Sequence, residues 1–435
     1  MVTLDRRLPA LLAATAILAL PAVALRIACV GGACDEGTAA RADVPFCSLP
    51  TALRREIAAG YREGRSPEVL AASGAATVAA ATAFGDRLQP PWPGLEVDTR
   101  VPLYFKGAGV APVRIPPGTT LDAVAPTLSE IIGLERPHPE VRSGQAIEGV
   151  ASEAEPRLVV ILVATGLGSS DLEESGTPLV PEEWGAVART TDARTGSQPL
   201  DPAAVLTTIG TGGLPRQHGI TGRMIRADEG RLVQAWGEAA PVSVIATLAD
   251  DLDEATDQQA LIGAALSHPS DRGVIGGNWY VGGDRDDITK TSRTARGLDL
   301  SPLVEGGYGR DAVTDLFVVV LEGDVARALR QLDATAARIT NGSYTLVFTG
   351  TGSSEPKPNT IRAPRLEAAI ESAVGADVVE GVAAGGVFLD VEAQTEEKVS
   401  EDRVIEAMRK VRAADGTPVF ADVFPSLAVS FARYC

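Results

Sequence analysis

Histidine is nearly missing from this chain, with three residues in 435. Zinc draws on imidazole nitrogen and carboxylate oxygen, so a histidine-rich metal centre is excluded at once. Basic residues are in deficit too. Lys and Arg number 39 against 57 Asp and Glu, a formal charge of −18. Binding a nucleic acid through a basic face needs clustered Lys and Arg, and this balance argues against it. The acidic surplus serves solubility and suits metal or cationic partners. Cysteines number only four, Cys29, Cys34, Cys47 and Cys435, and none has metal-site spacing with a histidine. No Walker loop, complete dinucleotide fingerprint or Ser-His-Asp order stands out, and there is no internal repeat.

What is present supports a core. Hydrophobic residues make up 45%, enough for one large α/β domain or two of ordinary size. At the N-terminus Arg6 and Arg7 precede an apolar run from Leu8 to Leu20, closed by Ala22-Val23-Ala24. That pattern reads as a secretory signal peptide, residues 1–24, cleaved after Ala24. The alternative is an uncleaved anchor, since Leu8 to Leu25 sits at the lower limit for a spanning helix. Membrane contact is expected only through this segment. In an exported chain an even cysteine count implies two disulfides. Three pairings are open, and Cys29–Cys34 with Cys47–Cys435 is the favoured one.

Residues 25–47 read as an exposed leader. A helix is expected from Ser48, its cap, to Gly60, loops over 74–98, a strand at Val101–Phe105 and a helix over Leu121–Ile132. A charged stretch at Glu153–Pro156 marks a boundary, dividing 48–150 from 155–435. Leu158–Val163, Leu316–Leu321 and Tyr344–Phe348 are unbroken apolar runs, as parallel strands buried on both faces require. Helices are predicted over Val242–Leu252, Val325–Ile339 and Glu401–Ala413. Together they predict an α/β fold with a central, mostly parallel sheet and helices on both faces. Asp250, Asp251, Asp253 and Glu254 read as a surface face, Asp284–Asp287 as a solvated acidic loop, and Gly166–Ser170 as a tight strand-to-helix turn.

The segment Thr207 to Gly222, T-T-I-G-T-G-G-L-P-R-Q-H-G-I-T-G, resembles the "T-G-x-x-P-x-x-H-G-I" stretch that follows the nucleophile in the alkaline-phosphatase superfamily. The match is most similar to the type I phosphodiesterase/nucleotide pyrophosphatase branch. The resemblance implies phosphate-ester hydrolysis by two metal ions at the carboxyl ends of the central strands. It also shows what has been exchanged. The metal-binding Asp of the first strand falls on Thr165, and a neutral hydroxyl is a weak ligand. The nucleophile, nine residues before Thr211, falls on Pro202, with Asp201 and Thr207 nearby. The Asp and His of "T-A-D-H-G" fall on Thr351 and Gly352. The "D-x-x-x-H" pair falls on Asp324 and Ala328. His218 matches a family histidine outside the ligand motifs and is expected to hold a turn.

Val101 to Val110 and Leu121 to Leu128 resemble the block that closes such domains at their C-terminal end. Here the block comes first, which implies a circular permutation or a remnant of an earlier copy. One permuted domain, with 48–150 packed on 155–435, is favoured. The expected protein is therefore an exported, alkaline-phosphatase-like pseudoenzyme, an envelope binding or scaffold protein with an unidentified ligand or protein partner. Neither metal nor cofactor is expected. Its remnant site would comprise Thr165, Asp201, Thr207, Thr211, His218, Asp324 and Thr351. The alternative is an active phosphoric-ester hydrolase with a rearranged site, which would use a divalent metal, zinc.

Overall fold

The computed structural model describes residues 45–435 apart from 75–76, 80–89, 176–183, 185–186, 238–239, 278, 281–285, 295–296 and 355–359. Cys29, Cys34, residues 1–24 and Asp284 lie outside the described residues. The three apolar runs form strands Leu158–Ala164, Asp315–Leu321 and Tyr344–Gly350, buried along their whole length. Each Val or Leu so buried contributes about 1.5–3 kcal/mol.

These strands lie at the centre of a seven-stranded sheet. Its order across the sheet is Ala188–Arg194, Arg100–Gly107, Tyr344–Gly350, Leu158–Ala164, Asp315–Leu321, Ile262–Leu266 and Asp287–Lys290. The last five run parallel. Arg100–Gly107 is antiparallel to both of its neighbours. The fold class is thus α/β with a mostly parallel central sheet. One apolar layer packs on each face, one around helices Val124–Ile131 and Pro202–Thr211, the other around helix Val325–Thr340.

A second, antiparallel sheet joins chain segments far apart in sequence: Val379–Ala383, Gly386–Leu389, Val69–Ser73 and Phe420–Pro425. Residues 43–435 form one compact unit. Cys47 and Cys435 are bonded across a separation of 388 residues. Phe46, in the stretch read as an exposed leader, is fully buried with its ring 5.0 Å from that of Phe424.

Several local expectations need correction. The helix expected over Val242–Leu252 spans Leu248–Ala255. Thr247 and Asp250 form a reciprocal capping box that fixes its start. The first helix spans Thr51–Gly60, not from Ser48, and Ser48 bonds Asp422 instead. Within 74–98 a short strand, Thr77–Ala79, pairs with Thr360–Arg362. Three of the four residues of the acidic "surface face" are not on the surface: Asp250, Asp251 and Asp253 are 4%, 2% and 8% exposed, whereas Glu254 is exposed as expected. Asp286 is not simply solvated either, because Arg272 binds it at 3.2 Å.

Candidate functional site

The signature segment begins inside a helix, Pro202–Thr211, in which every residue is buried. Asp201 caps it by accepting from the Ala203 N–H at 3.0 Å, and Pro202 takes the first position, where no amide donor is needed. Gly212 ends it at φ 78°, a left-handed conformation suited to glycine. Thr207, Thr208 and Thr211 each donate their hydroxyl to the carbonyl four residues earlier. Those hydroxyls are consumed by the helix itself.

His218 sits one turn beyond, fully buried. Its Nδ1 accepts from the Ile220 N–H, so its Nε2 carries the proton and donates to Thr208 at 3.1 Å. Burial pushes the imidazole down to about 3, with the Arg62 charge acting in the same direction. The unfolded chain takes up this proton near pH 6.5 and the folded chain does not. Stability is therefore full above that pH and is lost as pH falls toward 3, by up to about 1.4 kcal/mol per pH unit. Urea melts of His218→Gln between pH 4 and 7 should show a flatter profile than the parent. An unchanged profile would place the acid sensitivity elsewhere.

At the carboxyl ends of the central strands the chain is stitched to itself. Thr165 donates its N–H and its hydroxyl to the Leu321 carbonyl. The Thr351 N–H bonds the Ala164 carbonyl, and the Gly352 N–H bonds that of Leu167. The Gly166 N–H donates to the Thr351 hydroxyl at 2.9 Å. Thr165 and Thr351 are thus brought together, as the strand alignment anticipates. Leu200 packs against Gly352 beside them. It is 2% exposed, and a methyl on Gly352 would lie 2.5 Å from its Cδ1.

Gly352 also sits at φ 93°. Gly352→Ala is expected to cost roughly 1–3 kcal/mol. Combining it with Leu200→Ala should relieve part of that cost, a non-additivity that a double-mutant cycle of denaturation melts would read. Strict additivity would show that Leu200 does not fill this space.

The other remnant positions are not assembled. Asp324 is exposed in a left-handed conformation ahead of helix Val325–Thr340, without a side-chain cap bond. Thr207 lies against Gly273, and Thr211 binds its own turn at Gly213. Asp201 faces Gly222 and lines a small pocket with Pro199, Thr221 and Met224. Among the described residues no group of three or more His, Cys, Asp or Glu could hold a metal ion. Threonine, glycine and leucine at these strand ends do not fit a zinc pair.

Two features escaped the sequence. Asp171 stands at this end of the sheet, accepting from the Gly168 N–H and the Ser353 hydroxyl. An acid three residues after a glycine turn was its only signal. The second is a buried charge cluster. Arg136 and Arg142 bind Asp251 at 2.7 and 3.2 Å, and Tyr280 donates to its other oxygen at 2.7 Å. Both arginines also donate to the Thr211 carbonyl, at the end of the signature helix. Cations there complement the helix dipole. Burial lowers the pKa of Arg142, and the Arg136 charge adds to the shift.

No family model matches the chain, and no curated protein matches it. Two solved structures of the alkaline phosphatase PafA are similar to it. The wild-type enzyme aligns with a TM-score of 0.38 at 14% identity, and a multiply substituted mutant with 0.37 at 13%. Each alignment covers 60% of this chain and 77% of the other.

Proposed function

We propose that this chain is a non-catalytic, phosphodiesterase-like relative of the alkaline-phosphatase superfamily, exported to the cell envelope, where it binds a ligand or protein partner or serves as a scaffold. The observation that carries the reading is Leu200 seated over Gly352, where the crevice of such an enzyme holds metal and substrate. A hydroxyl becomes an effective nucleophile only with a base or a metal beside it. Here Thr207 and Thr208 donate to helix carbonyls instead. Export is supported by the N-terminal basic-apolar pattern and by the Cys47–Cys435 bond. Among the described residues no helix is long and apolar enough to cross a membrane. A single permuted domain is supported by Arg100–Gly107, which pairs directly with Tyr344–Gly350.

The test is metal analysis of the purified protein after dialysis, with phosphodiester and phosphomonoester turnover measured in added zinc. Expected are substoichiometric zinc and no turnover above buffer. Stoichiometric zinc, with turnover abolished by a chelator, would favour the rearranged-site hydrolase instead.

A further inference from the structure

The edge of the central sheet carries a groove on the strand that precedes the signature helix. Its floor is strand Ala188–Arg194, flanked on one side by Tyr104 and on the other by the segment 113–117. The Arg189 N–H donates to the Val113 carbonyl and the Ile115 N–H to that of Arg189, at 3.1 Å each. These bonds place Arg114 directly opposite Arg189 in a parallel bridge. Residues paired in this way project to the same side. Arg114 and Arg189 both line the groove, with Thr190, Thr191 and Asp192, around about 1170 Å³ of space open to solvent.

Like charges placed opposite each other destabilise a strand pair. Here both guanidiniums are exposed, and neither has an ion pair or side-chain hydrogen bond among the described residues. The chain carries a net charge of −18, so carboxylates were available to neutralise them. Asp192 is the one carboxylate in the lining, and its Oδ1 is buried without a donor. Two guanidiniums lining one groove from paired backbone positions offer the planar, bidentate donors that an oxyanion takes. Threonine hydroxyls beside them add neutral donors.

We propose that this groove is a binding site for an oxyanionic group, a phosphate or carboxylate on a small molecule or polymer, held between Arg114 and Arg189. The site is independent of the crevice at the strand ends, and it stands whether or not that crevice is catalytic.

Calorimetric titration of the purified protein at low ionic strength, with inorganic phosphate and with citrate, tests it. Saturable binding of either is expected, weakening as sodium chloride is raised. Arg114→Gln and Arg189→Gln should each weaken binding at least about tenfold, the equivalent of one lost charged contact. The same variants should melt no lower than the parent without anion, because each removes a repulsion. Phosphate and citrate arms separate the two oxyanion chemistries. Absence of binding by both, or variants that bind like the parent, overturns the proposal. Variants that melt well below the parent without anion also overturn it, since the pair would then be structural.

Discussion

Asp251→Ala is expected to lower the unfolding free energy by about 3–5 kcal/mol. The carboxylate is wholly enclosed, and the side chains of Arg136 and Arg142 are 5% and 6% exposed. Removing it strands two cations in a low-dielectric interior with only carbonyl partners. A domain's total stability is on the order of 5–15 kcal/mol, so this single change consumes a large share. Asp251→Asn keeps an acceptor for Tyr280 and should fall between the two. Equilibrium denaturation with a check on the m-value measures both. A loss under about 1 kcal/mol for the alanine variant would mean that the arginines are held by Thr211, Ala246 and Pro137 alone.

Reducing the Cys47–Cys435 bond should have the second largest effect. It closes a loop of 388 residues, and the stabilisation from restraining the unfolded chain grows with loop length, toward the upper end of a range of about 0–5 kcal/mol. What the bond secures is visible around it. Phe46 donates its N–H to Asp422 at 2.7 Å and packs on Phe424. Helix Thr51–Gly60 buries Leu53 and Ile57 in the same cluster. Cys435→Ser should melt with the reduced parent and should ignore added reductant. A reduced parent that melts together with the oxidised one would show that the packing holds both ends unaided.

The central sheet was legible because its inner strands are buried on both faces. Leu158–Ala164 and Asp315–Leu321 therefore advertise themselves as unbroken apolar runs. Its edge was not. Ala188–Arg194 buries only Ala188 and Ala193 and carries no apolar run. The second sheet was invisible for another reason: Val69–Ser73 is short and alanine-rich, and its partner Phe420–Pro425 lies about 350 residues away. Pairing across such distances leaves no local periodicity. Asp250, Asp251 and Asp253 were misread, Asp251 most of all, because charge argues for solvent until a partner is known. The partners of Asp251, Arg136 and Arg142, stand more than 100 residues upstream. At the site, the exchanged ligands were readable residue by residue. The role of Leu200 was not, because a leucine ahead of a helix carries no sign of what it covers.

The Cys47–Cys435 bond also decides how the molecule bears force. A pull applied to the chain at Cys47 and at Cys435 would pass straight across a single covalent link. The 388-residue span between them carries none of that load. Hydrogen-bonded strands that would otherwise peel apart one by one stay slack. For a pull at those two points the span between them would be shielded until the sulfur bridge is cut.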